Sequence, residues 1–239
     1  MVVLVVGASG ATGRQLVAQL LKQGHDVKVV VRSAAKIPVS WERSEGVKIS
    51  LASLLDLSDA ELMELTLDCN AIASCLGHTI SWKGIYGHPR MLVTEATRRL
   101  CTAIDAHKPE SPVKFVLMNT TGNRNRDINE PILFAQKCVI GLLRLLLPPH
   151  VDNEKAADYL RTQIGQHNPF IEWAAVRPDS LLDAEAVTNY EVYPSPIRSA
   201  IFNSGKTSRI NVGHFMAQLI EDGNLWKEWK GKMPVVYNK

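Results

Sequence analysis

Apolar runs alternate with amphipathic stretches along almost the whole chain. Val2–Val6 is an unbroken apolar run, as expected of a parallel strand covered on both faces. Residues 11 to 23 then show helical spacing, with Leu16, Leu20 and Leu21 on one side and Gly24 closing the helix before a His25-Asp26 turn. The pattern predicts further strands at 27 to 31, 47 to 51, 70 to 76, 113 to 118 and 170 to 176, with a short one at Val235-Val236. It predicts helices at 58 to 65, opened by the Ser58/Glu61 capping pattern, and at 89 to 107. Two more, at 131 to 147 and 152 to 166, flank Pro148-Pro149, and another lies near 211 to 221. Strand alternating this regularly with helix implies parallel pairing through right-handed crossovers, a doubly wound α/β sheet. Repeats and linkers are lacking, so residues 1 to 239 read as one domain, with a small substrate-side portion built mainly from about 179 to 210. Ligands of such sheets sit beyond the carboxyl ends of the strands.

The turn after the first strand reads Gly7-Ala8-Ser9-Gly10-Ala11-Thr12-Gly13. Gly7 permits the tight turn, Gly10 lets backbone approach a pyrophosphate, and Gly13 lets the helix pack close to the strand. Ser9, Ala11 and Thr12 complete a helix N-terminus whose free N–H groups and dipole favour phosphate. The spacing is GxxGxxG rather than GxGxxG, but a strand precedes it and a helix follows, as a Rossmann-type dinucleotide site requires. An NAD site would place Asp or Glu at the end of the second strand to bond the ribose 2′-hydroxyl. Here stand Arg32 and, close behind, Lys36. The arginine fork matches a 2′-phosphate, and Arg14 is a second candidate, so the expected cofactor is NADP rather than NAD.

These residues resemble the atypical short-chain dehydrogenase/reductase superfamily, in particular its NmrA-like and biliverdin-reductase-B-like NAD(P)-binding branch. GASGATGR at 7 to 14 is similar to that branch's phosphate turn, and VVVRSAAK at 29 to 36 to its NADP-selecting strand end. The resemblance implies adenine-side contacts at Ser53 and Leu54, although Ala52-Ser53 replaces the branch's usual Gly-Asp. It implies that Cys75, Leu76 and Gly77 lie along the adenosine half, and that Pro178, in EWAAVRP, lies beside the nicotinamide. Ser208-Arg209-Ile210-Asn211, ahead of a helix, resembles the branch's C-terminal region.

The superfamily's chemistry uses Tyr-x-x-x-Lys with a Ser or Thr from the fifth strand. Tyr exchanges the proton, Lys holds the ribose, and Ser or Thr orients the reacting oxygen. Lys155, in EKAAD, resembles the lysine, and Thr120 and Thr121 match the hydroxyl site. The tyrosine position holds Val151. His150 is the expected replacement proton donor, with Tyr159 one turn beyond the lysine as a second candidate. Asp152 reads as a cap for the helix that carries Lys155.

Composition changes this picture little. At 46% hydrophobic and 21% charged over 239 residues, the chain reads as an ordinary globular protein. A net charge of +3 is dispersed and forms no nucleic-acid stripe. The four cysteines lack metal-type spacing and suit a reducing compartment. No basic segment precedes the first apolar run, which favours a cytoplasmic location over export. CVIGLLRLLLPP at 138 to 149 is too short for a bilayer, which needs roughly 20 residues. It reads as a buried helix or lid, or otherwise as a dimer face, partner face or interfacial anchor.

Three readings follow. The leading one is an NADP-dependent oxidoreductase acting on a small carbonyl-like acceptor, as monomer or homodimer. The second is a non-catalytic dinucleotide sensor with a protein partner at 138 to 149. The third is a nucleotide-sugar epimerase or dehydratase, which Val151 and the short stretch after Pro178 disfavour.

Overall fold

The computed structural model describes residues 1–79, 81–130 and 134–239, without the side chains of Lys83 and Phe134. The first half runs β1 (Val2–Val6), α1 (Ala11–Lys22), β2 (Asp26–Val31), α2 (Val39–Glu42), β3 (Val47–Leu51), α3 (Asp59–Thr66), β4 (Ala71–Ser74), α4 (Trp82–Tyr86) and α5 (Leu92–His107). The second runs β5 (Val113–Met118), α6 (Phe134–Leu146), α7 (Pro148–Tyr159), β6 (Ile171–Pro178), β7 (Ser180–Leu182), β8 (Tyr190–Tyr193), β9 (Lys206–Ser208), α8 (Arg209–Glu221), α9 (Gly223–Trp229) and β10 (Val235–Asn238).

Eight strands form one sheet in the order β3-β2-β1-β4-β5-β6-β10-β8, parallel except where β10 meets β8. The expected doubly wound, Rossmann-type α/β architecture is therefore present. β1 shows why its sequence is uniformly apolar. Leu4 and Val6 pack into the core under α3, α5 and α7, while Val3 and Val5 pack into the core under α1 and α8. The strand order reverses about β1, with β2 and β3 on one side and β4 and β5 on the other. Ligands of such sheets collect at that crevice.

Several boundaries differ from expectation. The helix expected at 152 to 166 begins instead at Pro148, because proline suits a first helical turn, and it runs into a π turn at Leu160–Ile164. Of the helix expected at 131 to 147, Phe134–Leu146 is seen, and 131 to 133 lie outside the described residues. The reading of 138 to 149 as a buried helix is corrected. Ile140 is buried, but Leu142, Leu145 and Leu146 are 55%, 79% and 50% exposed. Among the described residues α6 packs mainly against α7, and these leucines stay exposed. Arg144, unexplained within that run, forks onto Glu154 of α7 at 2.8 and 2.9 Å. Among the described residues, no helix is long and apolar enough to cross a membrane.

Candidate functional site

The glycine turn sits at the reversal point of the sheet. Gly7 adopts φ +75°, and a Cβ there would stand 2.5 Å from the carbonyl of Cys75 at the end of β4. A Cβ on Gly13 would stand 2.3 Å from the Gly7 carbonyl oxygen. Both positions therefore exclude any side chain, and the turn lies pressed between β1, β4 and α1. Gly10 begins α1 without a side-chain cap, and the first turn of α1 holds no acidic residue. The leading N–H groups of α1 are thus free to meet an anion.

From this turn opens a cleft of about 400 Å³. Its lining includes Gly7, Ser9, Gly10, Arg32, Lys36, Ser53, Leu54, Cys75, Leu76 and Gly77, all anticipated from sequence. Asp56, Thr79, His88, Pro89 and Leu92 also line it and were not anticipated, since no local pattern marks them. Ala11, Thr12, Gly13 and Arg14 form the first turn of α1 beside the cleft, with Thr12 and Gly13 buried. Arg14 donates to the Lys36 carbonyl at 3.0 Å and so ties α1 to the segment that carries Arg32 and Lys36. A nicotinamide dinucleotide fits this set: an uncapped helix start for its phosphates, and exposed cations at the end of β2.

A second cavity, of about 300 Å³, lies beyond β5. Thr121 and Gly122 form one wall, and Ile140 of α6 and the 196–199 segment form others. Thr121 is fixed by donating its N–H to the Pro178 carbonyl, and the Thr120 hydroxyl accepts from Gly122 N. His150 lies against the same glycine: a Cβ on Gly122 would be 3.4 Å from His150 Cε1. Thr120 and His150 thus flank Gly122, next to Thr121. Behind them His150 Nε2 stands 3.4 Å from Glu154. Burial opposes the charge of Glu154, but the contacts from His150 and Arg144 hold its pKa down to about 2.

Lys155 does not join this group. α7 turns Asp152, Ala156 and Ala157 inward and leaves Lys155 exposed, lining neither cavity among the described residues. Tyr159 packs on the core beneath α5, and burial pushes its phenol up. Asp152 does not cap its own helix. It is buried and accepts from the N–H groups of Val93 and Thr94, which cap α5 instead. It also holds His78 Nε2 at 2.8 Å, while His78 Nδ1 meets the Gly84 carbonyl at 3.0 Å. Both ring nitrogens face acceptors, an arrangement that favours the doubly protonated ring. The bond to Asp152 raises its pKa. No local pattern joins His78 to Asp152, because the two lie 74 residues apart.

Arg177, anticipated as part of the Arg-Pro strand end, is fully buried and acts as a clamp. It meets both carboxylate oxygens of Glu130, at 2.7 and 3.2 Å, and donates to the carbonyls of Asn123 and Met233. Its role is to bind the loop after β5 to the sheet.

Comparison with known proteins agrees with this geometry. The chain aligns end to end with a Bacillus halodurans protein provisionally described as an NAD-dependent epimerase/dehydratase, at 21% identity and TM-score 0.73, covering 100% of this chain and 94% of that one. ChuY, an anaerobillin reductase from Escherichia coli O157:H7, matches at 16% identity and TM-score 0.69, with 100% and 97% covered. A Streptococcus pneumoniae TIGR4 protein provisionally described as an NADH-flavin reductase matches at 16% and 0.66, with both chains fully covered. These likenesses show the fold. A family model described as NAD(P)H-binding matches residues 7–223, and the chain belongs to that NAD(P)H-binding family.

Proposed function

We propose that the protein is an NADP(H)-dependent oxidoreductase acting on a small carbonyl-like acceptor. The observation that carries the proposal is the cleft that runs from the uncapped start of α1 to Arg32 and Lys36. Gly7, Ser9, Gly10 and the first turn of α1 hold the phosphates, and Arg32 and Lys36, with Arg14 bracing their loop, hold a 2′-phosphate. Ser53, Leu54, Cys75, Leu76 and Gly77 line the adenosine half, and Pro178 closes the nicotinamide end. A reduced nicotinamide bound there supplies a hydride. Thr120 or Thr121 bonds the acceptor oxygen and His150 holds the proton for it, in place of the tyrosine that Val151 replaces. Lys155 has no part in this arrangement, since its side chain points to solvent. The substrate-side portion extends beyond 179 to 210, because α6 and the loop after β5 also wall the second cavity.

The test is titration of NADPH and NADH by intrinsic fluorescence, on wild type and Arg32→Ala. NADPH is expected to bind more tightly. The variant should lose about tenfold for NADPH, the worth of one charge-assisted hydrogen bond, and little for NADH. Equal binding of both dinucleotides would overturn the NADP preference, and binding of neither would overturn the site. A second reading, sensing without turnover, is favoured by the exposed leucines of α6. NADPH binding without its oxidation across a carbonyl, quinone and flavin panel would decide for it.

A further inference from the structure

The second cavity carries a charge that the proposed chemistry does not use. Arg124 stands in its wall, half-buried, and its Nε is buried without a hydrogen-bond partner among the described residues. A guanidinium has five donors and no acceptor, so an orphaned N–H here has a free-energy cost unless a ligand meets it. Glu130 is the carboxylate that lines this cavity, but both its oxygens are taken by Arg177 and one also accepts from Asn125 N. It cannot neutralise Arg124.

A second arginine, Arg198, lines the same space from the segment after β8. Its field reaches Asp179, whose carboxylate is occupied by the N–H groups of Ser180 and Gly205. Ser199 donates to Gln136 Oε1 at 3.1 Å, which ties this segment to α6 and fixes the two walls relative to each other. Ile140 supplies an apolar surface between them. The cavity is therefore small, mostly apolar and net positive, and it opens on Thr121 and Gly122.

We propose that this cavity is a subsite for a carboxylate on the acceptor, held between Arg124 and Arg198 with the reducible group toward Thr121. The substrate class is thus a small carboxylic acid that carries a carbonyl or similar acceptor group. This rests on the oxidoreductase reading for its orientation, but the subsite itself is a binding claim. Two guanidinium forks suit an oxyanion, and Ile140 suits a short organic body.

The test is calorimetric titration of the full chain with phenylglyoxylate, its methyl ester and phenyl phosphate, each with and without saturating NADP⁺. Phenylglyoxylate is expected to bind at least about tenfold more tightly than the ester, which lacks the charge-assisted bonds. Arg124→Gln and Arg198→Gln should each weaken the acid by about the same factor and leave NADPH affinity unchanged. Arg198 is exposed, so its variant reports even if Arg124→Gln folds poorly. No binding of the acid, equal binding of acid and ester, or wild-type affinity in both variants would overturn the subsite. Tighter binding of phenyl phosphate would overturn the carboxylate assignment. Acid binding that survives where NADPH does not bind at all would sustain the subsite and sink the oxidoreductase reading.

Discussion

The two ends of the site are built by different means. The cleft around Gly7 and Gly10 is made mostly of backbone: Gly7 and Gly13 with no room for a Cβ, an uncapped helix start and a loop stapled by Arg14. The cavity beyond β5 depends on side chains brought together over long separations: Glu130 in its wall is held by Arg177, and α7, which carries His150, is tied to His78 through Asp152. A backbone-built site depends on few residue identities and on their spacing. A site built on buried ion pairs depends on every partner, since removing one leaves the other charged and desolvated.

The contrast is tested most severely at Glu130. Glu130→Ala leaves the Arg177 guanidinium buried without its counterion, at a cost of about 3–5 kcal/mol. At roughly 2–4 °C per kcal/mol for a domain of this size, the unfolding midpoint should fall by about 6–20 °C, read by calorimetry. Below that midpoint NADPH should still bind, because the glycine turn shares no side chain with the clamp. Loss of NADPH binding in the folded variant would show that the two ends are one cooperative unit.

A smaller effect is expected at His78, and it depends on pH. The bond to Asp152 raises the His78 pKa, so its stabilisation is fully present below the unfolded value, about 6.5, and fades as pH rises through the folded one. Burial would raise the Asp152 pKa, but bonds from His78, Thr94 and Val93 hold it below the usual carboxylate range. Its contribution is present above the ordinary value, near 4, and fades as pH falls through the lowered one. His78→Gln should therefore be less stable than wild type by about 1–3 kcal/mol near pH 5.5, and the difference should shrink on raising the pH. Denaturant titrations at a series of pH values measure this. A difference that grows with pH would mean that the ring is neutral in the fold.

The same contrast explains what could be read in advance. β1 was legible to the residue because a strand buried on both faces must be apolar throughout, and the bounds of β3 and β5 were legible as short apolar-rich runs between polar segments. The capping box of Ser58 and Glu61 is a local device and was legible too. β7, β8 and β9 were not, since three or four residues at the rim carry too little periodicity. Lys155 shows the limit of motif transfer. It has a matching neighbourhood in sequence, but the turn of α7 that buries Asp152 and Ala156 sends it outward. Asp152 shows the same limit from the other side. Its nearest-neighbour role was a cap for its own helix, whereas packing assigns it to α5 and His78, 58 to 74 residues away.

The smallest expected effect sharpens the backbone side of the comparison. Arg14 makes a single hydrogen bond to the Lys36 carbonyl, and both residues are exposed. Arg14→Ala should change stability by no more than about 0.5–1.5 kcal/mol, the usual net worth of one such bond. Its consequence should lie in selectivity, because Lys36 and Arg32 share the segment that the bond holds against α1. NADPH affinity should fall by several-fold and NADH affinity should not, as the phosphate turn itself is untouched. Paired titrations of the two dinucleotides measure that ratio. If both affinities fall together, Arg14 serves the phosphates common to both cofactors, and selection rests on Arg32 and Lys36 alone. If neither moves, the backbone of the loop holds its shape without the staple, which would place this end of the site still further from the clamp built on Glu130.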